Sequence, residues 1–291
     1  MKLRSLLFVP GDSERKFEKA RATQADVLIL DLEDAVAAPM KTRAREIVSA
    51  IVRDKQTRPW RAFVRINDLS SGAAFEDLAA DVRPGLDGIL LPKANGAEDL
   101  HSVAREIDVI EAANEMAPGA VKIAVVATET PRAMFNLGGY APAHARLVGL
   151  TWGAEDLSAA IGATDNKEPD GSWTFPYQIA RAHCLFAAAA ANVAPIETLY
   201  ANFRDNAGLD ANCRIARRDG FTGRIAIHPD QVPIINAAFS PSAAEIALAR
   251  RIVEAFEAAP HLGAIGIDGK MYDIPHLKAA QRTLAAAEDT P

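Results

Sequence analysis

Cysteine is nearly absent from this chain of 291 residues, with only Cys184 and Cys213 present. Two thiols cannot build a disulfide framework, and neither sits at metal-site spacing. Both read as structural thiols of a protein kept in a reducing cytoplasm. An excess of positive charge is also missing. Lys and Arg number 32 against 38 Asp and Glu, a formal net charge of −6, which leaves no electrostatic footprint for nucleic acid or membrane. No apolar run approaches membrane-span length; the alanine-rich FAAAAANVAPI (186–196) sits inside an amphipathic helical pattern. At the N-terminus SLLFVP is too short for a signal-peptide core and lacks a small-residue cleavage site.

What is present is an ordinary globular composition, 49% hydrophobic and 24% charged, long enough for a large core and for one big domain or two. Strand-like apolar runs alternate with helical patterns. The runs are SLLFVP (5–10), VLILDLE (27–33), AFVRIN (62–67), GILLPK (88–93), KIAVVATE (122–129), RLVGLTWG (146–153), IETLY (196–200) and RIAIHP (224–229). Near-continuous apolar strands suit a parallel sheet covered on both faces. Eight β/α units predict a closed (β/α)8 TIM barrel over residues 1–239. An open doubly wound sheet lacks support, because no Gly-rich fingerprint follows the first strand. Beyond it, Ser242 and Glu245 form a capping box that starts a helix to about Ala259. The Gly-rich HLGAIGIDGKMYDIPH then reads as a loop, before a last short helix. Residues 240–291 look too small for an independent domain and read as a helical lid, or an arm onto a neighbouring subunit.

Barrel chemistry sits at the C-terminal strand ends, and polar residues collect there. Asp31 and Glu33 close the second run, with Asp34 behind them; Arg65 and Asn67 close the third, Lys93 the fourth and Glu129 the fifth. Glu155 and Asp156 follow the sixth, and His228 ends the eighth. Spacing of i, i+2 predicts that Asp31 projects with Glu33, and Arg65 with Asn67. Each residue also has a structural reading. Glu33 and Asp34 can pair with Arg65 and close the barrel top, and Thr130 can cap a helix starting at Pro131, leaving Glu129 incidental. Asp156 can be an N-cap, Lys93 a solvated strand end, His228 a satisfied structural histidine. Taken together they favour a site. Two carboxylates from adjacent strand ends suit a hard cation, Mg²⁺ with Mn²⁺ as a substitute, on Glu129 and Asp156; the Asp31–Asp34 cluster would support its waters or Arg65. No His/Cys cluster at zinc spacing exists.

With these residues in hand, the chain resembles the citrate lyase β-subunit-like family of malyl-CoA and citramalyl-CoA lyases, within the HpcH/HpaI aldolase superfamily. The matching pieces, in order along nearly the whole chain, are RSLLFVPGD, ADVLILDLEDAV, VRIN, GILLPK, ETPRAMFN, RLVGLTWGAEDL, RIAIHPDQVPIIN and DGKMYDIPH. The resemblance implies a Mg²⁺-dependent carbon–carbon lyase that cleaves or forms a β-hydroxyacyl-CoA thioester, giving an acyl-CoA and a 2-oxo acid. It implies Mg²⁺ on Glu129 and Asp156, Arg65 on the substrate's carboxylate or carbonyl, and Asp273 as acid/base. That aspartate would be delivered by a lid that often belongs to the next subunit of a homotrimer or hexamer, and its pKa would rise under the closed lid. Coenzyme A phosphates could meet the first βα turn, at Gly11, Ser13, Arg15, Lys16 and Lys19, unless that turn is a solvated helix face. Other readings stay open: a citrate lyase β subunit using an acyl-carrier-protein thioester, a malyl-CoA thioesterase, an aldolase for free 2-oxo acids, or a non-catalytic binding barrel. The stretch SAAIGATDNKEPDGSWTFPY (158–177) departs from the pattern; Trp173 reads as loop packing rather than a specificity element.

Overall fold

The computed structural model describes residues 1–54 and 58–288. Its strands are β1 (Ser5–Pro10), β2 (Val27–Asp31), β3 (Arg61–Arg65), β4 (Gly88–Leu91), β5 (Lys122–Val126), β6 (Leu147–Thr151), β7 (Ala194–Glu197) and β8 (Gly223–Ala226). All pair in parallel, and β8 returns to β1, closing an eight-stranded barrel. The helices around it are α1 (Glu14–Arg21), α2 (Lys41–Arg53), α3 (Ala74–Asp81), α4 (Ala97–Ala113), α5 (Glu155–Ile161), α6 (Phe175–Ala191), α7 (Asn206–Asp219) and α8 (Gln231–Ala238). This is the (β/α)8 fold that the alternating pattern predicts. One unit differs: the segment after β5, expected to be a helix from Pro131, forms two 3₁₀ turns, Ala133–Phe135 and Leu137–Tyr140.

The barrel is filled by inward side chains of successive strands, among them Leu6, Ile29, Phe63, Leu90, Val126, Ile196 and Ile225. Gly88 makes room for the largest of these, since a Cβ there would stand 2.4 Å from the Phe63 ring. In-register pairing of β2 with β3 seats Asp31 beside Arg65, so strand alignment brings the two charges together at the rim.

The chain divides into two compact units, Leu3–Asn236 and the segment from Ala237 onward. The second has a core of its own. In it α9 (Ala243–Ala258) contributes Ala249, Ile252 and Phe256, and α10 (Ile274–Glu288) contributes Ala280. The remaining members, Ile265 and Ile267, come from β9 (Ala264–Ile267), which pairs antiparallel with β10 (Lys270–Asp273). The Gly-rich stretch read as a loop is therefore a hairpin. Asp268 and Gly269 turn it with φ of 50° and 75°, the Asp-Gly pair that two-residue hairpins favour. The Ser242–Glu245 capping box is present. By length and composition alone the span Gln231–Ala258 is apolar enough to cross a membrane, although no run was expected to be. That capping box, after Pro241, starts a separate 16-residue helix. At about 1.5 Å per residue it falls short of a hydrocarbon core roughly 30 Å thick.

One buried acid sets a pH dependence for the barrel. Asp81, the last residue of α3, is wholly buried, and neither carboxylate oxygen accepts a hydrogen bond. Ser49, the nearby hydroxyl, donates to the Ala80 carbonyl at 2.9 Å instead. Burial, helped by the charge of Asp77, pushes the Asp81 pKa from 3.8 up to about 7. Between those values the unfolded chain releases a proton that the folded chain keeps, so stability falls as pH rises through this window and levels off above it. Asp81→Asn should reduce the total fall in unfolding free energy between about pH 4.5 and pH 7.5, read from urea melts, by an amount of order 2–4 kcal/mol. An unchanged slope would mean that other groups set it.

Candidate active site

The polar strand ends converge on a cavity of about 220 Å³ at the C-terminal mouth of the barrel. Asp34, Arg65, Glu129, Glu155 and Asp156 line it, over an apolar floor that includes Phe8, Leu90, Val126 and Ile225. Arg65 is its best-fixed cation. Its Nε and Nη2 donate to the two Asp31 oxygens at 2.7 and 2.6 Å, a bidentate pair. Its Nη1 stands 2.9 Å from Glu33 Oε2 as a charge contact that is not aligned as a hydrogen bond. The guanidinium also lies 4.6 Å from the Phe8 ring centroid. Burial alone would lower its pKa, but the Asp31 bond and charge, with Glu33, raise it instead. Asp31 in turn accepts the backbone N–H groups of Glu33 and Ala35 at 2.9 and 3.3 Å. It supports Arg65 and the turn after β2, and Glu33 meets Arg65 with it as the spacing predicts.

Asn67 does not project with Arg65. It lies beyond the end of β3, where strand alternation no longer holds, and its backbone and side-chain N–H groups bond Asp77 of α3 at 2.8 and 2.7 Å. Lys93 overturns the solvated-end reading. Its ammonium bonds Glu33 and reaches Asp34 at 3.0 Å and Asp156 at 3.4 Å. Its backbone is left-handed, φ 49°, a conformation that costs a residue with a Cβ about 1–2 kcal/mol. That turn points its N–H at Glu129 Oε2, 2.6 Å away. Lys41, which sequence reasoning also missed, donates to the Leu32 and Glu33 carbonyls at 2.7 and 2.6 Å. The two lysines follow a strand or open a helix like many solvated ones. The acid cluster opposite was the available signal.

Glu129 is 6% exposed. Burial, then the charges of Asp156 and Glu33, push its pKa up to about 8 against the lowering effect of the Lys93 N–H. Glu33 is also raised, chiefly by burial. Asp34 is lowered: burial opposes this, but the Lys93 bond and charge prevail. Asp156 lies in the first turn of α5, and the N-cap position belongs to Ala154. Four carboxylates, Asp31, Glu33, Asp34 and Asp156, thus pair with two cations, Arg65 and Lys93, while Glu129 accepts only the Lys93 backbone N–H. Among the described residues no three His, Cys, Asp or Glu side chains cage an ion. The pair Glu129 and Asp156 still offers the all-oxygen, two-carboxylate set that Mg²⁺ accepts while keeping waters and substrate oxygens.

The wall beside Glu129 is rigid. Trp152 Nε1 donates to Glu197 Oε1 at 2.5 Å, and Arg181 Nε to Glu197 Oε2 at 2.7 Å. Trp173 packs edge-on against Trp152 at 5.0 Å, and Asn166 Nδ2 donates to Glu155 Oε2 at 3.0 Å. The departing stretch after α5 therefore lies on the rim, and Trp173 does pack.

A second cavity, about 770 Å³, is lined by Arg15, Lys16 and Lys19 of α1 with His228 and Asp230. Ser13 caps α1 by accepting the Lys16 N–H. Gly11 donates its N–H to the Asp31 carbonyl at 2.8 Å, so its amide is committed to close packing rather than free for a phosphate. His228 is half-exposed and stacks on Phe203 at 4.9 Å. Asp273, in the C-terminal unit, has its carboxylate 2.5 Å from His276 Nδ1. The hydrogen bond from His276 lowers its pKa, the reverse of the rise expected under a lid, because this carboxylate is solvated and partnered.

The HpcH/HpaI aldolase/citrate lyase family model matches residues 4–229. The chain is similar to a (3S)-malyl-CoA thioesterase of Cereibacter sphaeroides, with 38% identity over 98% of this chain and 94% of that one. It is similar to the mitochondrial citramalyl-CoA lyase of Homo sapiens, with 33% identity over 98% and 85%. Among solved structures it is similar to the protein CitE from Mycobacterium tuberculosis in complex with magnesium, acetoacetate and coenzyme A. That match has a TM-score of 0.78 and 33% identity, covering 99% of each chain.

Gly153 tests the acid pair. A Cβ there would stand 2.6 Å from Glu129 Cγ and 3.0 Å from its Oε1. Gly153→Ala must push Glu129 aside. The expected result by calorimetry is Mg²⁺ affinity lowered at least about tenfold with an unchanged circular dichroism spectrum. Wild-type affinity would show that Glu129 holds no ion.

Proposed function

Because the chain belongs to the HpcH/HpaI aldolase/citrate lyase family, we propose that it is a Mg²⁺-dependent carbon–carbon lyase for β-hydroxyacyl-CoA thioesters. Malyl-CoA or citramalyl-CoA is the substrate class, an acyl-CoA and glyoxylate or pyruvate the products. One observation carries this reading: a guanidinium locked by two acids stands in the same small cavity as two further carboxylates short of positive charge. Glu129 and Asp156 would hold the Mg²⁺, for which Mn²⁺ can substitute, and the ion supplies a Lewis acid for the oxygens of the 2-oxo acid portion.

The protein's own groups do the rest. Asp31 accepts hydrogen bonds from Nε and Nη2 of Arg65 and Glu33 stands at its Nη1; the N–H groups that remain would meet the substrate carboxylate and the oxygen that becomes a carbonyl. Glu33 holds both Arg65 and Lys93, and Asp34 holds Lys93. Asp273 exchanges a proton with the α carbon: it takes one from the acyl methyl on condensation and returns it on cleavage. Its lowered pKa leaves it ionised at neutral pH, the form that begins the condensation. The cavity at Arg15, Lys16 and Lys19, with the capped turn at Ser13, is where coenzyme A phosphates would meet positive charge. The C-terminal unit would act as lid, in a homotrimer or hexamer. Buried free thiols at Cys184 and Cys213 suit the cytoplasm.

The malyl-CoA thioesterase relative favours a second reading, in which water attacks the thioester in the same site. Malyl- and citramalyl-CoA incubated with enzyme and Mg²⁺ should release glyoxylate or pyruvate in step with acetyl-CoA. Free CoA with malate would choose the thioesterase instead. Asp273→Asn should bind Mg²⁺ normally and lose at least about a hundredfold in rate; near-wild-type turnover would remove Asp273 from the chemistry.

A further inference from the structure

Lys93 turns left-handed just beyond β4, and it touches both members of the acid pair. Its N–H fixes Glu129 Oε2 at 2.6 Å, while its ammonium stands 3.4 Å from Asp156 Oδ1 and also binds Glu33 and Asp34. Arg65 cannot take that place, because Asp31 and Glu33 already engage it. Without the ammonium, Glu33 would keep Arg65 alone, and Asp34 and Asp156 would have no ion-pair partner among the described residues.

We propose that Lys93 is a positioning residue of the metal centre: its backbone N–H orients Glu129, and its ammonium is the stand-in cation that neutralises Asp156 with Glu33 and Asp34 until a divalent ion takes Asp156 over. The proposal rests on the reading of Glu129 and Asp156 as metal ligands. The two functions of Lys93 are separable. Any residue keeps the backbone N–H, and glycine adopts φ 49° without strain, so Lys93→Gly preserves the grip on Glu129 and deletes only the ammonium. Lys93→Met deletes the charge but keeps the stem. Lys93→Arg keeps the charge.

A stand-in cation and a merely structural lysine differ in sign. If the ammonium competes for Asp156, removing it frees a ligand and removes a like charge from beside the incoming ion. Affinity for the ion then rises while the ion-free protein loses stability. If Lys93 only props the loop, its loss lowers affinity or leaves it alone.

The test is Mn²⁺ binding to the full chain, read as free ion by electron paramagnetic resonance, with thermal melts in chelator and in Mn²⁺. Lys93→Gly and Lys93→Met are expected to bind Mn²⁺ about threefold or more tightly than wild type. Both should melt lower than wild type in chelator and regain the difference when Mn²⁺ is added, whereas Lys93→Arg stays near wild type in each measurement. A variant that folds only with Mn²⁺ supports the proposal as well. Unchanged or weaker Mn²⁺ binding in Lys93→Gly and Lys93→Met overturns it, as does failure of both to fold even with the ion. Glu129→Ala and Asp156→Ala separate the two levels: wild-type binding in those variants sinks the ligand assignment itself, whatever Lys93 does.

Discussion

A carboxylate taken out of water must be met by positive charge or by N–H donors, and the mouth of this barrel is organised around that demand. The run Val27 to Asp31 is buried throughout, yet it ends in an acid, and parallel register alone places Arg65 beside it. Once that pair is bidentate, the guanidinium has a fixed plane and Glu33 a fixed neighbour. Lys93 then has an anionic partner to reach, and reaching it turns its backbone toward Glu129. Remove the β2–β3 pairing and each of these contacts loses its anchor.

Repetition made the barrel legible. Eight apolar runs with helical patterns between them leave little else to build, and the acids that gather at the run ends belong to one rim only if the sheet closes. Features set by single residues were harder to read. Strand parity sets Asn67 beside Arg65, but β3 ends at Arg65 and Asp77 of α3 binds Asn67 instead. Position after a strand makes Lys93 read as a solvated end; a left-handed turn in a lysine leaves no mark in the sequence, because glycine or asparagine would be the usual sign. The C-terminal hairpin is a different kind of miss. Asp268-Gly269 between alternating Ile265, Ile267 and Tyr272 is a hairpin signal, obscured by the surrounding glycines.

The barrel wall and the C-terminal unit hold their acids differently. Glu197 is buried and shared between Trp152 and Arg181, which ties β6, β7 and α6 into one wall behind Gly153. Such a network costs nothing further when a ligand arrives, since its donors are already committed. Asp273 and His276 are half-exposed and partner one another. An acid in that setting stays ionised, so any shift toward neutrality has to come from a surface that covers it. The barrel acids, by contrast, take their pKa shifts from burial and from the charges the fold sets beside them.

Two buried acids of the same rim show how environment assigns the roles. Asp31 accepts both arms of a guanidinium and two backbone N–H groups, so every lone pair that matters has a partner and the residue is structural for good. Glu129, about equally buried, is given one backbone N–H and faces Asp156 and Glu33. Its charge is opposed where that of Asp31 is satisfied. The fold places Arg65 against one carboxylate and leaves the other opposed, so the cost of burying Glu129 as an anion shows as its raised pKa. The under-neutralised acid, rather than the most heavily bonded one, is where a perturbed pKa singles out a candidate functional group.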